Sequence, residues 1–296
     1  MEITKTIPAT KSYIWGGTTL KKWGKPSQES TIAEAWELSF RDDGPTLLPG
    51  GEELRQVTDD SAIGSKAKQF PYFPVLIKLI DSDQNLSVQV HPSDEYALKN
   101  ENSYGKTEMW HIISAKPGAG IYLGFNRETS EKEVRSKIED NTLMELLRFI
   151  PVKPGENYFI PSGTVHAIGA GVTLAEIQQN SNLTYRLYDY GRLGKDGKPR
   201  ELHVDKAMKV LSFRPYSPIT FPAPTMGECA YFKTVLGKAE GQIIAAPKDS
   251  FASLTILSGE GMFNKEKYRQ GDTFFIPAGK GAPIEGCGEF ILTIIP

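Results

Sequence analysis

Cysteine is nearly absent: Cys229 and Cys287 are the only two in 296 residues. A disulfide-stapled scaffold is therefore excluded, and a reducing compartment is expected. Long apolar runs are missing too, since nothing approaches the roughly 18 residues of a membrane-spanning helix. The N-terminal stretch MEITKTIPATKSYIWGG carries no apolar segment behind a basic start, so no signal peptide is read there and a cytoplasmic location is expected. Neither sign of charge is in excess, with 34 Lys and Arg against 36 Asp and Glu, and no long block of like charge occurs. Nucleic-acid and membrane partners are accordingly not expected. Histidine is scarce: only His91, His111, His166 and His203 occur. Any imidazole chemistry must therefore come from residues 1–203.

What the chain does have is turn residues and short alternating segments. With 28 glycines and 20 prolines, turns are frequent, which favours short strands. Period-two alternation bounded by Gly, Pro, Asn or Asp predicts strands over 85–91, 108–114, 156–161, 172–178 and 184–190, the spacing of a β sandwich or barrel. Helical signals are fewer. Ser130 with Glu133 three residues on forms a capping-box pattern opening SEKEVRSKIED, with NTLMELLRF reading as helical after it. A second helix is predicted from about Leu202 to Leu211. The segment FRPYSPITFPAPTM, residues 213–226, has four prolines and no periodicity. It reads as a connector, dividing the chain into units 1–212 and 213–296.

The two units share an internal repeat. GENYFIPSGTVH from Gly155 and GDTFFIPAGKGA from Gly271 carry Gly, Phe, Ile, Pro and Gly at the same spacings. The first Gly opens a turn, the alternating aromatic segment enters the core, and Pro-x-Gly makes the next turn. The residue returned toward the interior is His166 in the first copy and Ala282 in the second. The form G-x5-P-x-G-x2-H resembles the second motif of the cupin superfamily, whose members are small antiparallel jelly-roll barrels that often hold one metal. The expected fold is mainly β: a metal-carrying, cupin-type jelly-roll barrel with helical insertions, then a second, degenerate cupin-like β-barrel.

Strand parity supplies the rest of a ligand set. In NLSVQVHP, Ser87, Gln89 and His91 share one face and Val88 and Val90 the other. In GKTEMWHII, Lys106, Glu108 and Trp110 share a face and His111 points away. Gln89, His91, Glu108 and His166 thus offer two imidazoles, a carboxylate and an amide oxygen from one barrel. That mix suits Zn²⁺ or another first-row divalent ion, one per chain. In the second unit, aligning LSGEG with ISAKPG puts Ala252 where the first has Glu108, so that barrel is expected to be metal-free. His111 and His203 are read as hydrogen-bonded structural histidines.

Spacing stops at a metal-holding cupin, which could be a dioxygenase, an isomerase, an epimerase-like enzyme or a sugar-binding module. The motifs YIWGGTTL, EAWELS, FPVLIKLID, LSVQVHP, KTEMWHI, PSGTVHAIGAG and LAEIQQNSNLTYRLYDYGR, running in order over roughly residues 10–212, resemble type I mannose-6-phosphate isomerases in their short bacterial form. The resemblance implies a zinc-dependent aldose–ketose isomerase interconverting mannose 6-phosphate and fructose 6-phosphate, with a small sugar phosphate as its partner. It places the metal on Gln89, His91, Glu108 and His166. It also implies functional roles for Lys106 and Arg186, puts Ser87 and Lys78 near the substrate phosphate, and has Glu176 lining the cavity as a further candidate for the proton-transfer chemistry. One departure is visible: the family commonly has Ser-Asp where this chain has Ser181-Asn182. The competing readings are an iron-dependent cupin dioxygenase and a sugar-phosphate sensor without turnover. A glutamine ligand and the cationic Lys106 and Arg186 speak against the dioxygenase.

Overall fold

Two strands that are buried at every position, Val75–Ser82 and Val172–Gln179, set the architecture. They pair antiparallel along their whole length, from Val172 opposite Ser82 to Gln179 opposite Val75. Strands buried on both faces must lie between two layers, which is why these segments read as apolar runs and not as alternating ones. The structure, a computed structural model, describes residues 1–194 and 197–296.

The sheet containing this pair has the strand order Ala9–Lys11, Glu34–Leu38, Val75–Ser82, Val172–Gln179, Glu108–Ala115 and Asn157–Ile160. Facing it is a second sheet, ordered Tyr185–Tyr188, Val88–Val90, His166–Ile168, Gly120–Phe125 and Leu147–Pro151. Ile80, Trp110, Ile112 and Leu174 from the first meet Leu86, Ile121, Leu123 and Ile168 between the two layers. These sheets form the first barrel, a cupin fold.

The second barrel is built the same way. One sheet runs Thr4–Lys5, Thr273–Ile276, Ala252–Ile256, Glu289–Ile294, Phe232–Lys238 and Thr225–Cys229. The other runs Ile243–Ala245, Gly281–Gly286, Glu260–Phe263 and Glu266–Arg269. Its first strand comes from the other end of the chain: Thr4 and Lys5 pair with Phe275 and Phe274. The repeat holds in three dimensions. Glu108 aligns with Ile160 and Met109 with Phe159 in the first barrel, as Ala252 aligns with Ile276 and Ser253 with Phe275 in the second. The opening glycines of the two copies share one backbone conformation, Gly155 and Gly271 both at φ 90, a left-handed region open to glycine at little strain. Ala252 and Ala282 sit together in an apolar core with Ile244, Leu254, Phe263 and Phe274.

The two barrels meet back to back. Ile77, Leu79, Met109, Ala175 and Ile177 on the outer face of the first sheet share one core with Phe232, Phe251, Phe275, Ile291 and Ile295. A buried ion pair adds to this seam: Lys25 Nζ lies 2.6 Å from Glu37 Oε1 and donates to the Gly271 carbonyl at 2.6 Å.

Several sequence expectations are adjusted. The helix after Ser130 forms as Glu131–Glu139, with the Ser130 hydroxyl accepting from the Glu133 amide at 3.3 Å. NTLMELLRF is not a helix. It makes one tight turn, Leu143–Leu146, and then becomes the edge strand Leu147–Pro151. Leu143, Leu146 and Leu147 still reach the core, but the free edge of Gly120–Phe125 recruits the backbone after the turn, so tertiary pairing overrides propensity. The helix predicted from Leu202 shortens to Val204–Met208, and the connector gives way to a strand at Thr225. Among the described residues no helix is long and apolar enough to cross a membrane.

Candidate active site

Two cross-strand rows, one from each sheet of the first barrel, build the site. In the first sheet Trp36 aligns with Lys78, Lys78 with Glu176 and Glu176 with Trp110. Alternation along each strand then brings Glu34, Lys106 and Glu108 to the same face. In the second sheet Arg186 aligns with Gln89 and Gln89 with His166. Ser87 and His91 flank that short strand at positions of the same parity. The rows face each other across a cavity of about 280 Å³, lined by Ser87, Gln89, Lys106, Glu176 and Arg186 among others.

At one end of the cavity His91, Glu108 and His166 gather with their ligand atoms within 4.8 Å of one another, all buried. Each imidazole is oriented by a backbone carbonyl. His91 Nδ1 donates to Leu183 O at 2.9 Å, and His166 Nδ1 donates to Thr164 O at 2.8 Å. A carbonyl can only accept, so the proton sits on Nδ1 and the Nε2 lone pair points inward. Burial, reinforced for His91 by the Lys106 charge, holds His91 well below the usual imidazole range and puts His166 at about 4. Both rings are neutral at pH 7. Their Nε2 atoms and Glu108 Oε1 have no hydrogen-bond partner despite being buried, although such groups cost about 1–3 kcal/mol each when left unmade. His166 Nε2 lies 3.3 Å from Glu108 Oε1 and His91 Nε2 lies 3.7 Å from Glu108 Oε2. Lone pairs so close repel unless a cation sits among them, so the donor set fits a divalent metal ion. Gln89, adjacent in register, lines the same cavity.

From this cluster a ladder of alternating charge runs along the first sheet. Lys106 Nζ is 2.8 Å from Glu108 and 3.7 Å from Glu176; Lys78 Nζ is 3.2 Å from Glu176 and 3.5 Å from Glu34. Two indoles hold the central and far carboxylates, Trp110 Nε1 donating to Glu176 at 2.9 Å and Trp36 Nε1 to Glu34 at 2.7 Å. Burial disfavours charge on Glu176, yet Lys106 and Lys78 outweigh it and hold the carboxyl at about 2. Burial likewise opposes charge on Lys78, but Glu34 and Glu176 raise its pKa above the usual lysine value. Burial raises Glu108 to about 7 against the pull of Lys106. A buried charge ladder of this kind is stable only because every rung is paired.

At the opposite end Arg186 Nε donates to the Ser87 hydroxyl at 3.3 Å and its Nη1 donates to the Glu201 carbonyl at 2.8 Å. All nine residues expected from sequence thus lie in or against one cavity. Sequence reasoning missed several others on its wall, among them Tyr13, Trp15, Glu34 and Arg200. Glu34 had a signal, because a lysine amid apolar neighbours as at Lys78 demands a buried carboxylate. Arg200 comes from a loop with no periodicity to reveal it. Asn182 reaches the rim and donates to Asp43 at 3.2 Å. His111 bonds Asn157 at 2.8 Å, facing away from the cavity, and His203 accepts from the Arg186 amide at 3.2 Å. A larger depression of about 740 Å³ near Phe40, Tyr72 and Tyr104 contains none of the ladder's charges.

Residues 3–118 match the catalytic domain of phosphomannose isomerase type I. The chain is 37% identical to mannose-6-phosphate isomerase ManA of Bacillus subtilis, over 97% of this chain and 96% of that one. It is 33% identical to the mannose-6-phosphate isomerase of Streptococcus mutans, covering 89% of each. A crystal structure of the mannose 6-phosphate isomerase from Bacillus subtilis superposes with a TM-score of 0.87 at 31% identity over 99% of both chains. A mannose 6-phosphate isomerase solved with zinc and yttrium shares the fold, with a TM-score of 0.75 at 17% identity over 99% of each chain.

Proposed function

The chain belongs to the type I mannose-6-phosphate isomerase family, and from that premise we propose that it interconverts mannose 6-phosphate and fructose 6-phosphate by proton transfer through an enediol. The observation that carries the reading is the pair of inward-facing, unpartnered Nε2 atoms of His91 and His166 beside Glu108, at one end of a cavity that has Arg186 at the other. Gln89, His91, Glu108 and His166 would hold one zinc ion, supplying positive charge beside the oxygens of the open-chain sugar where negative charge develops. Arg186, braced by Ser87, takes the phosphate, and fixing that remote group aligns the reacting carbons. Lys78 adds charge to the same wall and holds Glu176 in place.

The proton leaves C2 of mannose 6-phosphate and is delivered to C1 of the enediol, so one group must reach both carbons from one side. We assign this to Lys106 in its neutral form, whose Nζ enters the cavity just before the strand carrying Glu108 and lies beside that carboxylate and Glu176, either of which can take its proton. Glu176 is the next candidate. The unit 213–296 serves as a structural partner that covers the outer face of the first sheet and carries no chemistry of its own.

A coupled assay for fructose 6-phosphate formed from mannose 6-phosphate, run with and without a chelator, tests the function. Turnover abolished by the chelator and restored by zinc is expected; a protein with no turnover at any metal loading would be a sensor instead. Lys106→Met should keep its metal and lose at least about a hundredfold in kcat, together with exchange of the C2 proton into solvent. Retained exchange would move the base to Glu176.

A further inference from the structure

One buried carboxylate at the Arg186 end of the cavity organises two further arginines. Asp189 follows the strand Tyr185–Tyr188 and is 5% exposed. Arg200 grips it along one edge, Nε to Oδ2 at 2.7 Å and Nη2 to Oδ1 at 2.5 Å. Arg192 Nη2 shares the same Oδ1 at 2.6 Å. Tyr190 at φ 58 and Gly191 at φ 64 take left-handed backbone. The turn they make folds Arg192 back, so that its amide donates to the Asp189 carbonyl at 3.0 Å.

The two guanidiniums differ in what remains to them. Arg192 also donates from Nη1 to the Asn85 carbonyl at 2.6 Å and lies 4.9 Å from the Tyr190 ring centroid, away from the cavity wall. It is a strut. Arg200 lines the cavity together with Arg186, and among the described residues its Nη1 has no hydrogen-bond partner. Arg186 Nη2 is unpartnered in the same way. Asp189 and the exposed Glu201 are outnumbered by three guanidiniums, so this end of the cavity carries excess positive charge and two unused sets of N–H donors. Burial and then the charge of Arg200 hold the Arg186 guanidinium below its ordinary pKa, against the opposing pull of Asp189 and Glu201. A dianion with several acceptor oxygens is what such a clasp recognises.

Resting on the function proposed above, we propose that Arg200 is a second phosphate-binding guanidinium, oriented by Asp189 as a positioning residue. Together they determine the preference for phosphorylated over free sugar. The Asp189 grip fixes the plane of the guanidinium and leaves the edge carrying Nη1 for the ligand. A lysine could supply the charge but not that planar grip.

The test uses the full-length, metal-loaded protein and two readouts. One is the dissociation constant of inorganic phosphate by calorimetry. The other is the ratio of kcat/KM for mannose 6-phosphate to kcat/KM for mannose. Arg200→Met should weaken phosphate binding by about tenfold or more, as for the loss of hydrogen bonds to a charged group, and lower the ratio by a similar factor. Arg200→Lys should recover part of both. Asp189→Asn should lower the ratio, and Asp189→Glu should restore some of it, whereas a purely structural loss would depress both substrates equally. Unchanged phosphate affinity in Arg200→Met, or equal losses on the two substrates, overturns the proposal. Should Arg200→Met not fold, Arg200→Gln and Asp189→Glu are judged by the same ratio. Phosphate binding that depends on Arg200 in a protein that does not isomerise would sink the proposed function and leave this inference standing.

Discussion

His91 and His166 each have one nitrogen committed to a backbone carbonyl and the other aimed at Glu108. The ligand role proposed for both predicts a joint loss. His91→Ala and His166→Ala should each release the ion and reduce turnover by at least roughly a hundredfold; elemental analysis showing full metal occupancy in either variant would remove that residue from the coordination sphere. Glu176 makes a prediction in pH. Its folded pKa of about 2 lies below its ordinary value of 4.5. Its contribution to stability is therefore complete above about 4.5 and is lost as pH falls toward about 2. The stability gap between wild type and Glu176→Gln, measured by denaturant unfolding of the metal-free proteins, should narrow over that interval. A gap that is constant or widens on acidification would show that the carboxylate is not held ionised by its lysines.

Strands decide what could be read in advance. Ser87, Gln89 and His91 were legible because Val88 and Val90 alternate with them, and His166 because the repeat delivers it. The partners across strands were not legible. Lys78 sits in a segment buried on both faces, where apolar neighbours on either side erase the alternation that would show which way it points. That Glu176 and Trp36 flank Lys78 depends on register between distant segments, which no local pattern carries. Leu143, Leu146 and Leu147 misled in the opposite direction, because helical spacing and an edge strand entered through a tight turn bury the same leucines. Turns were more legible than partners, since Gly155 and Gly271 mark positions that backbone geometry reserves for glycine. A Cβ at Gly155 would meet nothing within 4 Å, so Gly155→Ala isolates the φ penalty. It should lower stability by about 1–2 kcal/mol with metal content unchanged. A loss well under 0.5 kcal/mol, which is within the range of an ordinary surface substitution, would mean that the turn relaxes out of the left-handed region.

At the scale of the whole molecule, the first barrel has a wet side and a dry side. Its cavity opens toward the substrate, while Ile77, Met109 and Ile177 on the opposite face of the first sheet are covered by Phe232, Phe251 and Phe275. Expressing residues 1–212 alone should therefore uncover a large apolar face and leave Lys25 and Glu37 without the Gly271 carbonyl that Lys25 binds. Aggregation, or a marked loss of thermal stability, is expected although every candidate ligand is present. A soluble, monomeric fragment with full zinc content and full turnover would show that the second barrel is dispensable.

The pairing of Thr4 and Lys5 with Phe275 and Phe274 also sets an order of events during biosynthesis. Thr4–Lys5 leaves the ribosome before every other described strand, and the neighbour it pairs with, Thr273–Ile276, follows more than 260 residues later. The N-terminal residues must therefore wait, unpaired, while nearly the whole chain is translated. The first barrel can collapse meanwhile, but its apolar back stays open until the final strands arrive, and a nascent chain stalled in that interval is exposed to misassembly. The same clasp ties Thr4–Lys5 and Thr273–Ile276 into one sheet, so that neither segment can fray without loosening the layer that covers the first barrel.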